Sequence, residues 1–325
     1  MFFLFYAYTF EFVKKRFLND TVDTYEKAVF ITGCDSGFGH RLAKRLDAKG
    51  FQVFAGCQFP SNTGASELRK WCSERLRIIE LDVTKDESVN KAEQFVQDEL
   101  RTSGRKLWAI VNNAGIHKGI IIDASKVEDF EDCIKVNSLG PLRVTKAFLP
   151  LLKKSKGRVV NVTSVAGRMP VSSIAPYIVS KYAAVAFNDC LRQEMSMWGI
   201  SVVSVEPELF QTQLTNLEKA TERINHSISA TPNSISTEYG KEYFERFSKS
   251  MATFLKYASP KVGIVVNDLE AAVSLKYPDN HYRPRRSLFY RFILVFYIMS
   301  PSRIQDIIVK IGMFLVSAPK PSKSH

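Results

Sequence analysis

"KAVFITGCDSGFGHRLAKRLDAKG", residues 27–50, decides the fold of this chain. Its first part is a short apolar run ending in Gly, which predicts a buried strand. Its last part, 40–50, has helical spacing of apolar residues and a Gly stop. Between them stands T-G-C-D-S-G-F-G, residues 32–39. Gly33 allows a tight turn there. Gly37 and Gly39 let backbone approach a pyrophosphate at the amino end of the helix, where unpaired N–H groups and the helix dipole favour anions. A glycine motif alone says little, but its placement between a strand and a helix is the context that gives it meaning.

The same alternation continues outward. "FQVFAGC" (51–57), "LRIIELDVT" (76–84), "LWAIVNNAG" (107–115), "GRVVNVTS" (157–164) and "ISVVSVEP" (200–207) read as strands. The helical stretches between them include 87–100, one helix through 133–154, and one from Tyr177 to about Trp198. Strands rich in Val and Ile alternating with amphipathic helices predict right-handed βαβ units. The expected class is α/β, a Rossmann-like doubly wound parallel sheet in a single domain over 27–284. From 208 to about 262 the pattern weakens into a polar, loop-like stretch before a short helix. An insertion past the carboxyl end of a strand sits where open α/β sheets bind ligands, so 208–262 is expected to be a substrate lid.

The bulk numbers fit such a domain. The chain has 325 residues, 45% hydrophobic and 24% charged, with a net charge of +12. Lys and Arg are scattered and form no long basic tract, so nucleic acid is not an expected partner. Five cysteines, none in a C-x-x-C, and sparse His give no metal-binding spacing. Both ends are apolar. Residues 1–26 begin with "MFFLFYAYTFEFVKKRF", whose apolar run is about half the ~20 residues of a spanning helix. It either inserts, which would leave the following domain in the cytosol, or packs on the protein. Residues 285–325 include the aromatic-rich "RRSLFYRFILVFYIMSPSR" (285–303), which either lies in a membrane interface or covers a pocket.

Tyr177 and Lys181 stand four residues apart, on one face of the predicted helix. A cation within about 4–6 Å favours the ionised form of a phenol. Such a pair can supply the base that an alcohol needs when hydride leaves its carbon. Ser164 lies 13 residues before Tyr177, and Asn137 lies 27 before Ser164.

With these pieces the chain resembles the short-chain dehydrogenase/reductase family. The matching residues are Thr32-Gly33-x-x-x-Gly37-x-Gly39, Asp82, Asn112-Asn113-Ala114-Gly115, Asn137, Ser164 and Tyr177-x-x-x-Lys181. The strings "FITGCDSGFG", "YIVSKY", "EYGKEYF" and "HYRP" resemble the branch of retinol dehydrogenases, oxidative hydroxysteroid dehydrogenases and 3-hydroxybutyrate dehydrogenase. The resemblance implies a nicotinamide cofactor and a catalytic set of Asn137, Ser164, Tyr177 and Lys181. Ser164 would hold the substrate oxygen. Asn137 would orient a water that relays the proton past Lys181, which would also bond the nicotinamide ribose. The implied cofactor contacts are Gly33, Asp35, Ser36, Gly37, Phe38, Gly39, Cys57, Asp82, Val83, Asn113, Ala114, Gly115, Tyr177, Lys181, Pro207 and Thr212.

Three details bear on specificity. Cys57, at the end of the second strand, supplies neither the acid of an NAD site nor the Arg of an NADP site. Asp35 would repel an extra phosphate and no Lys or Arg lies between Gly50 and Arg69, so NAD is expected over NADP. Where the family commonly has Pro-Gly after the sixth strand, this chain has Pro207-Glu208, which removes glycine's freedom and adds a carboxylate. The expected substrate is a lipophilic alcohol, hydroxysteroid or retinol-like. His117, Lys118 and Arg168 keep a short 3-hydroxy acid open as an alternative, and a non-catalytic NAD-binding scaffold is the other. A membrane partner and a homo-oligomer are expected, with the endoplasmic reticulum membrane, or the mitochondrion, as the location.

Overall fold

A computed structural model describes residues 18–285 and 288–315. Seven parallel strands form one sheet: β1 (Lys27–Thr32), β2 (Gln52–Cys57), β3 (Leu76–Glu80), β4 (Lys106–Asn112), β5 (Arg158–Val162), β6 (Ser201–Val205) and β7 (His281–Tyr282). Their order is β3-β2-β1-β4-β5-β6-β7, so the chain reverses direction across the sheet between β1 and β4. This is the Rossmann-like arrangement expected from 27–50, and ligands bind at such a switch point, outside the carboxyl ends of the strands.

The two-residue period of the strands sorts the core onto two faces. Val29 and Ile31 of β1 pack with Leu42, Ala43 and Leu46 of α1 (Gly37–Ala48), and with Leu269, Ala272 and Val273 of α10 (Gly263–Ser274). Ala28 and Phe30 face the other way. They meet Val89 and Val96 of α3 (Asp86–Ser103), Val144, Phe148 and Leu152 of α5 (Gly140–Ser155), and Leu191 of α6 (Ala175–Met195). Phe30 and Phe148 stack with ring centroids 4.4 Å apart. A second small helix, α2 (Thr63–Trp71), follows β2.

Two stretches differ from the sequence-based expectation. The helix expected through 133–154 is three pieces: α4 (Val127–Ile134), a π-helical turn (Lys135–Leu139) and α5. Single π turns inside helices accompany functional sites, and this one carries Asn137. The polar stretch 208–262 is mostly helical: α7 (Leu217–Ser229), α8 (Asn233–Tyr239) and α9 (Lys241–Lys256). Its apolar residues are few but fall at helical spacing. Ala220 and Ile224 are buried on α7, and Phe244 and Phe247 on α9. Ile224, Phe244 and Phe247 form a third core cluster with Ile120 and Ala124.

At the carboxyl end, α11 (Leu288–Met299) and α12 (Ser302–Leu315) are separated by Ser300 and Pro301, a break that proline's geometry explains. Among the described residues no helix is long and apolar enough to cross a membrane. Most of the apolar run at the amino end lies outside the described residues.

Candidate active site

A cavity of about 1070 Å³ opens at the carboxyl ends of β1, β4, β5 and β6. Its floor and one wall come from the first βα turn. Gly33, Asp35, Ser36, Gly37 and Phe38 line it, and Gly33 and Gly37 both have φ in the left-handed region, at 69° and 66°. The Ser36 side chain makes no cap bond to α1, and the first turn of that helix holds no acidic residue. No acid of the helix's own first turn competes for its amino-terminal N–H groups, which suits a pyrophosphate.

Gly39 is not in the lining. It faces inward, where an added Cβ would lie 2.6 Å from the Gly33 carbonyl oxygen. Its place in the motif is therefore close packing of helix against turn. A Gly39→Ala protein should lose about 1–3 kcal/mol of stability from overpacking, together with dinucleotide affinity, readable by urea denaturation and cofactor titration.

The next part of the wall holds Asp82 and Val83 after β3, and Asn113, Ala114 and Gly115 after β4. Asn113 Nδ2 donates to the carbonyls of Thr32 and Gly33, both at 2.9 Å, and tethers this turn to the glycine turn. Asp35 does the same on the other side. Its carboxylate accepts from the N–H groups of Gln58 and Phe59 and from Asn62 Nδ2, each at 2.9 Å. Cys57 is fully buried behind the wall, where burial pushes its thiol up to about 12. It is an apolar filler there. Arg69, the first cation after β2, donates to the Pro60 carbonyl at 2.8 Å.

Ser164, Tyr177 and Lys181 meet on the far side of the cavity. Ser164 Oγ accepts from Ala166 N at 3.1 Å and lies 3.4 Å from the Pro207 carbonyl. Tyr177 and Lys181 lie one turn apart on α6, with Lys181 Nζ 5.7 Å from the phenol ring centre. Lys181 is 5% exposed and donates to the Val162 carbonyl at 3.1 Å. Burial pushes the Tyr177 hydroxyl up to about 12, against the lowering hydrogen bond with Ser164. Burial pulls the Lys181 amine down to about 8. The downward pull of the amine on the phenol, expected from their spacing, is thus opposed by desolvation.

Asn137 lies behind the wall rather than in it. Its Oδ1 accepts from Ile116 N at 2.8 Å, and its Nδ2 donates to the Ile116 carbonyl and to Ser180 Oγ, both at 2.9 Å. Ser180 Oγ in turn donates to the Tyr177 carbonyl at 2.7 Å. The amide's two donors are spent on these bonds, so its side chain pins the 116 loop to α6 beneath Tyr177. Pro207, Glu208 and Thr212 close the cavity beyond β6. Thr212 stands opposite Gly37, 3.7 Å from where a Cβ would sit.

Two of the cations considered for a substrate carboxylate are already engaged. Lys118 pairs with Asp132 at 2.7 Å. Arg168 pairs with Glu206 at 3.1 Å and Asp189 at 3.3 Å. The third, His117, packs its ring 5.2 Å from that of Tyr177, and burial holds it down at about 4, so it is neutral near pH 7.

Two groups that the sequence did not single out belong to the site. Glu206 is fully buried just before Pro207, and an acid at a strand end carries no signal of burial by itself. Arg223 lines the cavity from α7. It was hidden because the stretch around it reads as a polar loop. Once that stretch is read as a helix, Lys219, Ala220, Arg223 and Ile224 fall on one face.

A model of the short chain dehydrogenase family matches residues 27–223. The chain is 37% identical over 303 residues to "Estradiol 17-beta-dehydrogenase 2" of Mus musculus, covering 93% of this chain and 78% of that protein. It is 39% identical over 288 residues to "D-beta-hydroxybutyrate dehydrogenase, mitochondrial" of Bos taurus, covering 86% and 83%. Among solved structures, the 3-ketoacyl-(acyl-carrier-protein) reductase of Brucella melitensis complexed with NADH is similar with a TM-score of 0.53. That match is 27% identical and covers 58% of this chain and 78% of that one.

Proposed function

Given that the chain belongs to the short-chain dehydrogenase family, we propose that it oxidises a lipophilic alcohol, hydroxysteroid or retinol-like, with NAD as the hydride acceptor. The observation that carries this reading is the meeting of Ser164, Tyr177 and Lys181 in one cavity with the glycine turn. Bound there, the nicotinamide would supply a place for the hydride. The other parts of the reaction fall to the chain itself. Ser164 Oγ would hold the substrate oxygen. Tyr177 would take its proton, with Lys181 holding positive charge beside the phenol. Asn137 would act by fixing the loop and helix on which these groups stand, and any relay water near it would use atoms other than its two spent donors.

NAD is favoured over NADP by charge. At the adenosine end the lining carries the carboxylates of Asp35 and Asp82 and no Lys or Arg. A 2′-phosphate there would meet repulsion without a guanidinium to hold it.

The lipophilic substrate is favoured by the rest of the cavity. Met251, Phe254 and Leu255 of α9 line it, with Leu294 of α11 and Ile308 of α12. The segment 208–262 serves as a lid in this reading. The outer face of α11 and α12 exposes Phe292, Phe296, Met299, Ile307 and Ile311. Such an apolar face next to a cavity mouth suits a bilayer surface, which would deliver the substrate from the membrane. The endoplasmic reticulum membrane, with the catalytic domain in the cytosol, is the matching location.

The test is a screen of purified protein with NAD and NADP against ring alcohols, retinol and short 3-hydroxy acids, followed as reduced nicotinamide. Oxidation of ring alcohols or retinol with NAD is the expected result. Turnover of 3-hydroxybutyrate alone would reverse the substrate assignment, and a preference for NADP would reverse the cofactor.

A further inference from the structure

The substrate side of the cavity sets apolar residues of α9, α11 and α12 beside a few polar ones, and Arg223 is one of these. On α7, Arg223 is half-buried among Leu214, Ile224 and Met251. One Nη donates to the Leu214 carbonyl, which holds the side chain across the cavity wall. Its Nε is buried and has no hydrogen-bond partner. The ionised group acting on it is its chain neighbour Glu222, and among the described residues no carboxylate lies within ion-pair distance of it. A guanidinium keeps its proton at any working pH, so this is a fixed charge with an unmade donor.

The other cations of the lining are committed or solvated. Lys118 and Lys135 are paired with Asp132 and Glu131, Lys181 is bonded beside Tyr177, and Arg285 donates to the Glu206 carbonyl. Lys219 is exposed. His117 packs its ring on Tyr177 and feels the charge of Arg223, and all three side chains line the cavity. Neutral His117 offers one donor and one acceptor and does not compete with Arg223 for an anion.

We infer that Arg223 is a specificity-determining residue, whose guanidinium receives a second oxygen acceptor, carbonyl or carboxylate, on the substrate away from the carbon that is oxidised. The inference rests on the proposed alcohol oxidation and narrows its substrate. A hydrocarbon laid over Arg223 would leave the Nε donor unmade and would cover a charge with apolar surface. A site with a buried donor rejects analogues that lack the matching oxygen far more strongly than an apolar pocket rejects an added group. An alcohol with oxygen at both ends, such as a ring ketol, is therefore selected over one that ends in hydrocarbon, such as retinol.

The experiment compares two ring alcohols with the same reacting carbinol, one carrying a distal ketone and the other its deoxy counterpart, with NAD and wild-type protein. Arg223→Leu, Arg223→Gln and Arg223→Lys proteins are run beside it, with thermal melting as a check on folding. Wild type should favour the ketol by about ten- to a hundred-fold in kcat/KM, the range of a charge-assisted hydrogen bond, with most of the difference in KM. The preference should collapse towards one in Arg223→Leu, chiefly through a higher KM for the ketol, and return in part in Arg223→Lys. Arg223→Gln stands in if the leucine protein fails to fold.

Equal kcat/KM for the two alcohols in wild type overturns the role of Arg223 while leaving the alcohol oxidation standing. So does a leucine or glutamine variant that keeps the preference or weakens both substrates alike. Turnover of neither ring alcohol overturns the lipophilic reading itself. If a short 3-hydroxy acid is then oxidised, with a KM that rises in Arg223→Leu, the acceptor is a carboxylate and Arg223 keeps its place.

Discussion

A Tyr177→Phe protein should fold, bind NAD, and oxidise its alcohol about a hundred- to ten-thousand-fold more slowly, the usual span for a lost general base. The ring remains, so its packing against His117 at 5.2 Å remains too. What disappears is the oxygen proposed to accept the proton. Kcat from single-turnover reduction of NAD, set beside NAD affinity, checks it. Loss of binding together with activity would make Tyr177 structural, and retained activity would remove it from the chemistry.

The size of the opposing effects explains why Lys181 is needed there. Burial raises the phenol from 10 to about 12, roughly 3 kcal/mol against ionisation. A charged amine beside the phenol acts in the opposite sense, so the phenolate is most accessible while Lys181 keeps its proton. Lys181 itself is lowered to about 8 by burial, so the pair loses its first shared proton near that pH. The sign follows from the coupling. Below pH 8 each unit of pH removes that proton tenfold more often, and a fixed small share of the deprotonated pairs carries the charge on the phenol. The logarithm of kcat/KM for oxidation should rise with unit slope to about pH 8 and level off above it. A Lys181→Met protein, with no ammonium to share the proton, should show no levelling near 8.

Much of this site was legible because its chemistry requires particular residue types at fixed spacing. The glycine turn must lie between a strand and a helix, and Tyr177 and Lys181 must share a helix face. Val, Ile and Phe runs marked the strands because both faces of a parallel sheet are buried. Other features depend on partners distant in sequence. The π turn at Lys135–Leu139 lies within residues that spell an ordinary helix, and Asn137 finds its partners at Ile116 and Ser180 only in the folded chain. Residues 217–256 are polar because most of each helix faces water, so Ala220 and Ile224 on α7 and Phe244 and Phe247 on α9 carried the signal, and α8 buries no residue. Arg158 is 2% exposed, bonded to the Ala272 and Leu275 carbonyls, yet nothing local distinguishes it from a surface arginine.

Glu206 belongs to this second kind, and replacing it should have the largest effect on stability. Its carboxylate is fully buried. Arg283 donates to it at 2.9 Å and Arg168 at 3.1 Å, while His281 Nδ1 lies 3.5 Å away, at the limit of a hydrogen bond. Burial alone would push this carboxyl up, but the His281 contact and the Arg283 and Arg168 guanidiniums more than reverse that and hold it at about 2, against 4.5 for a free Glu. The folded value is depressed, so its stabilisation is complete above about pH 4.5 and is lost as pH falls through 4.5 towards 2. Its size is roughly 3 kcal/mol. An exposed pair such as Arg101–Asp98 contributes about 0–1 kcal/mol. A Glu206→Gln protein keeps the shape but removes the buried charge that Arg283 faces and leaves Arg168 only Asp189, which should cost about 3–5 kcal/mol. Its unfolding free energy should also fall less steeply than that of wild type between pH 4.5 and 2. The damage should reach the chemistry as well, because the next carbonyl, that of Pro207, accepts from Val165 N at 3.0 Å and lies 3.4 Å from Ser164 Oγ. Urea denaturation of both proteins at several pH values measures the first effect, and kcat measures the second. A loss below about 1 kcal/mol, with parallel acid limbs, would mean that the cluster is an accident of packing and has no hold on Ser164.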